Sequence, residues 1–167
     1  VLDVDLDAKP LIVEGDPEKV NQVLKSIVEN AILAMPRGGK LSVVTESAAI
    51  LNGTAESYGL ETGFFVKITV TDSGIGMEKE VLENIFTPFF SADHQRYPEK
   101  KGLGLTFARE IVQNHHGVID VWSSPGMGSS FSIILPLKEA ADNLDIPSED
   151  EKLVMGNESV LLVDDEE

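Results

Sequence analysis

The chain has 167 residues, 42% of them hydrophobic, which is enough for one cored domain with a short appendage. Its 29 acidic against 13 basic side chains leave a net charge of −16, which argues against a nucleic-acid backbone or an anionic membrane as partner. There is no cysteine, so disulfides and thiolate chemistry are excluded, and no run approaches the ~18 apolar residues of a membrane span.

Residues 1–14 hold short alternating segments, and Pro10 to Glu14 predicts a strand. The chain opens on Val1 without a basic-then-apolar leader, which reads as a piece of something longer. Gly15-Asp16-Pro17 is a helix start, with Asp16 as N-cap and Pro17 at the first helical position. Val20, Val23, Leu24, Ile27, Val28, Ala31 and Met35 then keep helical spacing until Pro36. Asn30 lies on the shoulder of that apolar stripe with Ser26, Leu33 and Arg37, where an uncharged amide can reach a ligand lodged beside the helix. Glu29 falls nearly opposite the stripe, facing water.

Leu41 to Thr45 predicts a strand, and residues 46–63, small, polar and glycine-containing, predict a loop or long hairpin connection. Phe65 to Val70 alternates as a strand and leads into Thr71-Asp72-Ser73-Gly74-Ile75-Gly76-Met77. A carboxylate at a strand end beside glycines that admit close backbone approach suits reading the amine edge of a flat ring such as adenine. By itself, a strand ending in a turn would account for the same residues. Glu78 to Phe86 predicts a short helix, and the aromatic cluster Phe86-Thr87-Pro88-Phe89-Phe90 suits anchoring a loop to a core.

Residues 91–101 are polar and aperiodic, predicting a mobile loop. They run into Gly102-Leu103-Gly104-Leu105-Thr106 and a helix stopped by Gly117. A glycine-rich loop opening onto a helix N-terminus offers unpaired amides to phosphate, and Thr106 adds a hydroxyl. Val118 to Ser123 and Ser130 to Leu135 predict two strands joined by a hairpin at Ser124 to Gly128. Residues 139–158 read as an acidic linker, and 159–167, ending in carboxylates, as a first strand of a second domain.

Familiar nucleotide motifs fail: Gly39-Lys40 lacks the upstream glycine of a P-loop, and Lys79 and Phe107 stand at the third glycine positions of a dinucleotide fingerprint. No serine–histidine–aspartate set or zinc spacing is present. What remains is an order in which Asp72, with Gly74 and Gly76, holds a base, and Gly102, Leu103, Gly104 and Leu105 cradle phosphates. Asn30 supplies an oxygen to a hydrated Mg²⁺.

Over residues 9–137 this order resembles the ATP-binding catalytic domain of sensor histidine kinases, within the gyrase, Hsp90, histidine kinase and MutL superfamily. Asn30-Ala31 resembles the second half of the N box, Asp72 to Gly76 the G1 box, Phe86 to Phe90 the F box, Gly102 to Leu105 the G2 box, and Ser124 to Phe131 the closing hairpin. The resemblance implies an α+β two-layer sandwich, the Bergerat fold, with a mixed, mainly antiparallel sheet under about three helices. It implies binding of ATP and Mg²⁺ under a flexible lid, with Asn30 as the catalytic residue. The γ-phosphoryl group then passes to a histidine on a separate dimerisation domain, which this sequence lacks. Residues 160–167 resemble the start of a receiver domain, which makes the parent a hybrid kinase: a homodimer, with this piece cytoplasmic and monomeric and membrane anchoring of the parent left open.

Departures accompany the resemblance. Ser26 replaces the first asparagine of the N box, Leu33 and Ala34 stand where phosphate contacts are common, and Asp93 replaces a lysine. Lys100-Lys101 replace Gly-Thr, so that Lys100, Lys101 or Arg96 can supply the missing positive charge. On these grounds a nucleotide-binding docking or sensing module without phosphoryl transfer stays open; a third reading, a protein-serine kinase of the anti-sigma type, has the receiver-like tail against it.

Overall fold

A computed structural model describes residues 1–91 and 101–138. The elements follow the order β1 (Leu2–Asp5), α1 (Pro17–Ala34), β2 (Leu41–Ile50), α2 (Asn52–Tyr58), β3 (Gly63–Asp72), α3 (Lys79–Asn84), α4 (Gly104–Asn114), β4 (Val118–Ser124) and β5 (Gly128–Pro136). The five strands form one sheet in the order β1-β2-β3-β5-β4, in which β1 runs parallel to β2 and every other pair is antiparallel.

Asp16 caps α1 as its sequence predicts, its carboxylate accepting from the N–H groups of Glu18 and Lys19. The apolar stripe of α1 buries Val23, Ile27 and Ala31, and the first two join Ala108 and Val112 of α4 in the core. Below them lie Val70 of β3 and Phe131, Ile133 and Leu135 of β5, alternate residues that share the helix-facing side of the sheet. Val81, Leu82 and Ile85 bring α3 against the same cluster, giving the three-helix layer.

Three expectations change. Pro10 to Glu14 does not form a strand; Val13 makes only an isolated bridge to Leu137, since Pro10 lacks an N–H for the ladder. The opening strand lies instead at Leu2–Asp5. Residues 46–63 are not a loop: β2 runs on to Ile50, α2 occupies Asn52–Tyr58, and Gly59, at φ 67°, ends it in a left-handed cap. The turn of α2 sets Ala55 against Ile50, Phe65 and Ile134, a second cluster on the opposite face of the sheet. The Tyr58 hydroxyl donates to Asp120 of β4 (3.0 Å) and so ties α2 across that face. Third, the left-handed residue after α4 is His116, at φ 58°, one position ahead of Gly117. The expected linker at 139–158 and strand at 159–167 lie outside the described residues.

The two clusters predict unequal costs. Ile27 is wholly buried between α1 and the sheet, so Ile27→Ala should lower unfolding stability by about 2–5 kcal/mol. Tyr58→Phe removes one half-exposed hydrogen bond and should cost about 1 kcal/mol or less. Urea denaturation of both variants measures the contrast.

Candidate functional site

The strand β3 carries Asp72 to the edge of the core and leaves it 3% exposed. Register places it opposite Leu41 of β2 on one side and Ser129 of β5 on the other. A carboxylate in such a place needs donors. The Gly74 N–H reaches its Oδ1 at 2.8 Å, and the N–H and hydroxyl of Ser129 face it from β5. Burial raises the Asp72 carboxyl above its ordinary value of 3.8, and the Gly74 and Ser129 donors offset part of that rise.

The turn after Asp72 is fastened on two sides. Ser73 donates its N–H to the Lys40 carbonyl (3.0 Å) and accepts the Lys40 N–H on Oγ (2.8 Å). Ile75 donates its N–H to the Ala34 carbonyl at the end of α1 (3.1 Å). Glycine is required between these fastenings. A Cβ on Gly74 would stand 2.6 Å from the Ala34 carbonyl oxygen and 2.7 Å from Asp72 Oδ1. Gly76, at φ 66°, would drive a side chain into the Ser124 carbonyl of the β4–β5 hairpin.

A cavity of about 710 Å³ opens between this turn, the shoulder of α1 and the start of α4. It reaches from Asp72 and Ser129 past Asn30 and Ser26 to Gly102, Leu103, Gly104 and Leu105. Seven of the nine predicted site residues therefore line one space: Asn30, Asp72, Gly76, Gly102, Leu103, Gly104 and Leu105. The other two stand behind it. Gly74 acts through its N–H on Asp72, and the Thr106 hydroxyl, expected to face a ligand, donates instead to the Phe86 carbonyl (3.2 Å).

At the far end, Leu103 is the N-cap of α4 and supplies no side-chain acceptor, and no acidic residue lies in the first turn. The first N–H groups of an 11-residue helix are thus left for an anion in the cavity. Ser26 comes close by: its Oγ lies 3.7 Å from where a Cβ on Gly104 would stand. Lys101 lines the same end; Asp93, Arg96 and Lys100 lie outside the described residues. Asn30 is half-buried on the cavity wall, and no other described residue takes its amide in a hydrogen bond. Glu29 is exposed as its helix position predicts, yet it stands on the cavity rim beside Asn30.

The aromatic run divides its work. Phe86 packs on the core with the Arg109 guanidinium 4.9 Å from its ring centre, Phe90 lines the cavity, and Phe89 is exposed. Phe89, at φ 65°, donates its N–H to the Gly102 carbonyl (3.1 Å), joining the two ends of the segment between them. Sequence reasoning missed Ser129 and the apolar walls Ile75, Met77 and Phe90 as site residues. Only a strand register that sets Ser129 opposite Asp72 identifies the first.

Residues 15–139 match the family described as histidine kinase-, DNA gyrase B-, and HSP90-like ATPase, and the chain belongs to that family. It is 38% identical over 125 residues to sensor histidine kinase ZraS of Escherichia coli (strain K12), an alignment that takes in 75% of this chain and 23% of ZraS. It is 36% identical over 127 residues to sporulation kinase C of Bacillus subtilis (strain 168), covering 76% of this chain and 26% of that protein. The chain thus spans about a quarter of the length of these curated relatives. Among solved structures, the catalytic domain of histidine kinase ThkA is similar at a TM-score of 0.62 and 28% identity, over 81% of this chain and 78% of that one.

The raised proton affinity of Asp72 makes a signed prediction. A carboxyl whose folded value is raised lends its full stability below 3.8 and loses it as pH rises through the raised value. Asp72→Asn removes that dependence, so the nucleotide-free variant should unfold at higher urea than the parent near neutral pH, with the gap closing on acidification towards 3.8. Denaturation midpoints across that range check it.

Proposed function

We propose that this domain binds Mg-ATP in the cavity and donates the γ-phosphoryl group to a histidine on a separate dimerisation domain of a sensor kinase. The observation that carries the reading is that one cavity is lined by both the buried Asp72 carboxylate and the uncapped N-terminus of α4. The first is an acceptor for the amine of adenine; the second offers backbone donors to phosphate. Asn30, on the same cavity wall, would hold a hydrated Mg²⁺, which neutralises phosphate charge when bound.

The surroundings favour transfer over hydrolysis. Ser26 stands where the family's ATPases carry a water-activating glutamate, and a serine hydroxyl is no base at neutral pH. A histidine acceptor is itself the nucleophile, so the domain has only to hold and neutralise the nucleotide. His115, the histidine that ends α4, is a poor acceptor. His115 lies 11 residues along α4 from Gly104, about 16 Å at the helical rise. Its ring is also occupied, Nδ1 by the Ile111 carbonyl (2.7 Å) and Nε2 by the Asp16 N–H (3.1 Å). Residues 159–167 read further as the start of a receiver domain in the same parent.

The test is titration with Mg-ATP followed by addition of the parent's histidine-bearing dimerisation domain. ATP at 100 times its Kd should stabilise the fold by about 2.7 kcal/mol. Asp72→Asn should weaken binding by roughly tenfold to a hundredfold, the worth of a hydrogen bond to a charged group. Phosphohistidine should form on the added domain. No binding at millimolar ATP overturns the reading, whereas binding without transfer assigns the domain to nucleotide sensing or docking.

Two substitutions probe the phosphate end. Asn30→Ala should raise the Mg²⁺ concentration needed for transfer while leaving adenosine binding unchanged. Lys101→Ala should weaken ATP by about tenfold or less and adenosine not at all, as isothermal titration of the two ligands would show.

A further inference from the structure

A hydroxyl outside the cavity lining is built into the wall behind Asp72. Asp72, Ser129 and Ser123 are directly opposed across β3, β5 and β4, forming one row on the side of the sheet that faces the helices. Ser129 is 4% exposed, and the Ser123 Oγ lies 3.1 Å from the Ser129 Oγ. The same Ser123 oxygen accepts the N–H of Met77, the residue that closes the glycine turn (2.9 Å). It also lies 2.9 Å from the Gly128 carbonyl at the hairpin.

The proton count on this row is restrictive. Ser123 has one hydroxyl proton, and it goes to the Gly128 carbonyl or to Ser129. The Ser129 hydroxyl keeps its own proton, and Asp72, directly opposite on β3, is the charged acceptor in its row, where a charge-assisted bond is about twice as strong as a neutral one. The Met77 N–H fills one acceptor site on Ser123, so the Ser123 hydroxyl is held between the turn and the hairpin.

We propose that Ser123 is a positioning residue for base recognition: it aims the Ser129 hydroxyl at Asp72 and holds the Met77 end of the glycine turn, fixing the carboxylate that reads the nucleotide's amine. The inference rests on the reading of this cavity as an adenine site. Ser123 is not among the residues that line the cavity, so its effect is on which base is preferred. A merely structural serine at this place would weaken every nucleotide alike.

Inosine triphosphate, which carries a carbonyl where adenine has its amine, separates the two. The parent domain should bind ATP well ahead of inosine triphosphate. Ser123→Ala should cut that preference by roughly threefold to tenfold, the range for one neutral hydrogen bond, mainly through weaker ATP binding. Ser123→Thr, which keeps the hydroxyl, should retain most of it. In a Ser129→Ala background, Ser123→Ala should change the preference little further, since the group it aims is already gone. Should Ser123→Ala fail to fold, Ser123→Cys keeps the volume with a much weaker hydrogen-bonding group and gives the same comparison. Equal weakening of both nucleotides by Ser123→Ala, or additive effects of the two serine substitutions, overturns the positioning role while leaving the adenine site intact. A parent domain with no preference between the two triphosphates overturns the adenine reading, and the role of Ser123 with it.

Discussion

The constraint on which this structure turns is the burial of one carboxylate at the end of its central strand. Asp72 is 3% exposed, and an ionised group removed from water is tolerated only where fixed donors replace its hydration. Those donors come from two directions: the turn that follows it and the neighbouring strand β5. That need dictates much of the local architecture. The turn must curl back tightly enough for the Gly74 N–H to reach Oδ1, and it can do so only without a Cβ at Gly74. The hairpin must close under it, and here Gly128, at φ 83°, allows the approach to the Asp72 carbonyl. The sheet order, which inserts β5 between β3 and β4, then brings Ser129 alongside.

A second constraint is electrostatic. On the proposed reading, a polyphosphate enters a domain whose chain carries a net charge of −16. Among the described residues, Lys101 is the only basic side chain on the cavity wall, and Glu29 and Glu78 also stand on it. The local field must therefore come from the backbone. The α4 N-terminus would supply it, with no competing acid in its first turn and no side-chain cap from Leu103. Acidic composition and an anion site coexist because the long-range field is screened over about 10 Å in ordinary salt, while amides act at contact.

Much of this was legible in the residues. Asp16-Pro17 marks the start of α1 because capping is local chemistry, and the strands that alternate cleanly, such as Phe65 to Val70, appear where their pattern puts them. The order of Asn30, Asp72 to Gly76 and Gly102 to Leu105 marks the cavity, since glycines at close approaches leave a trace in sequence. Other features left none. The helix α2 is held by contacts between Ala55 and residues of three strands, so its seven residues, with Gly53 inside them, carry no helical signature of their own. Thr106 reads as a ligand hydroxyl until the fold shows the Phe86 carbonyl within its reach. Ser129 looks like any small residue in a hairpin strand; only its register with Asp72 gives it a role.

The hydrogen bond from the Phe89 N–H to the Gly102 carbonyl is a clasp at the neck of the segment that joins the aromatic run to α4. With both ends held at one point, the free energy of closing that segment depends only weakly on its length, about 0.6 kcal/mol for each doubling. Residues could be added or removed between the clasped ends while Phe90 and Gly102 stay on the cavity wall.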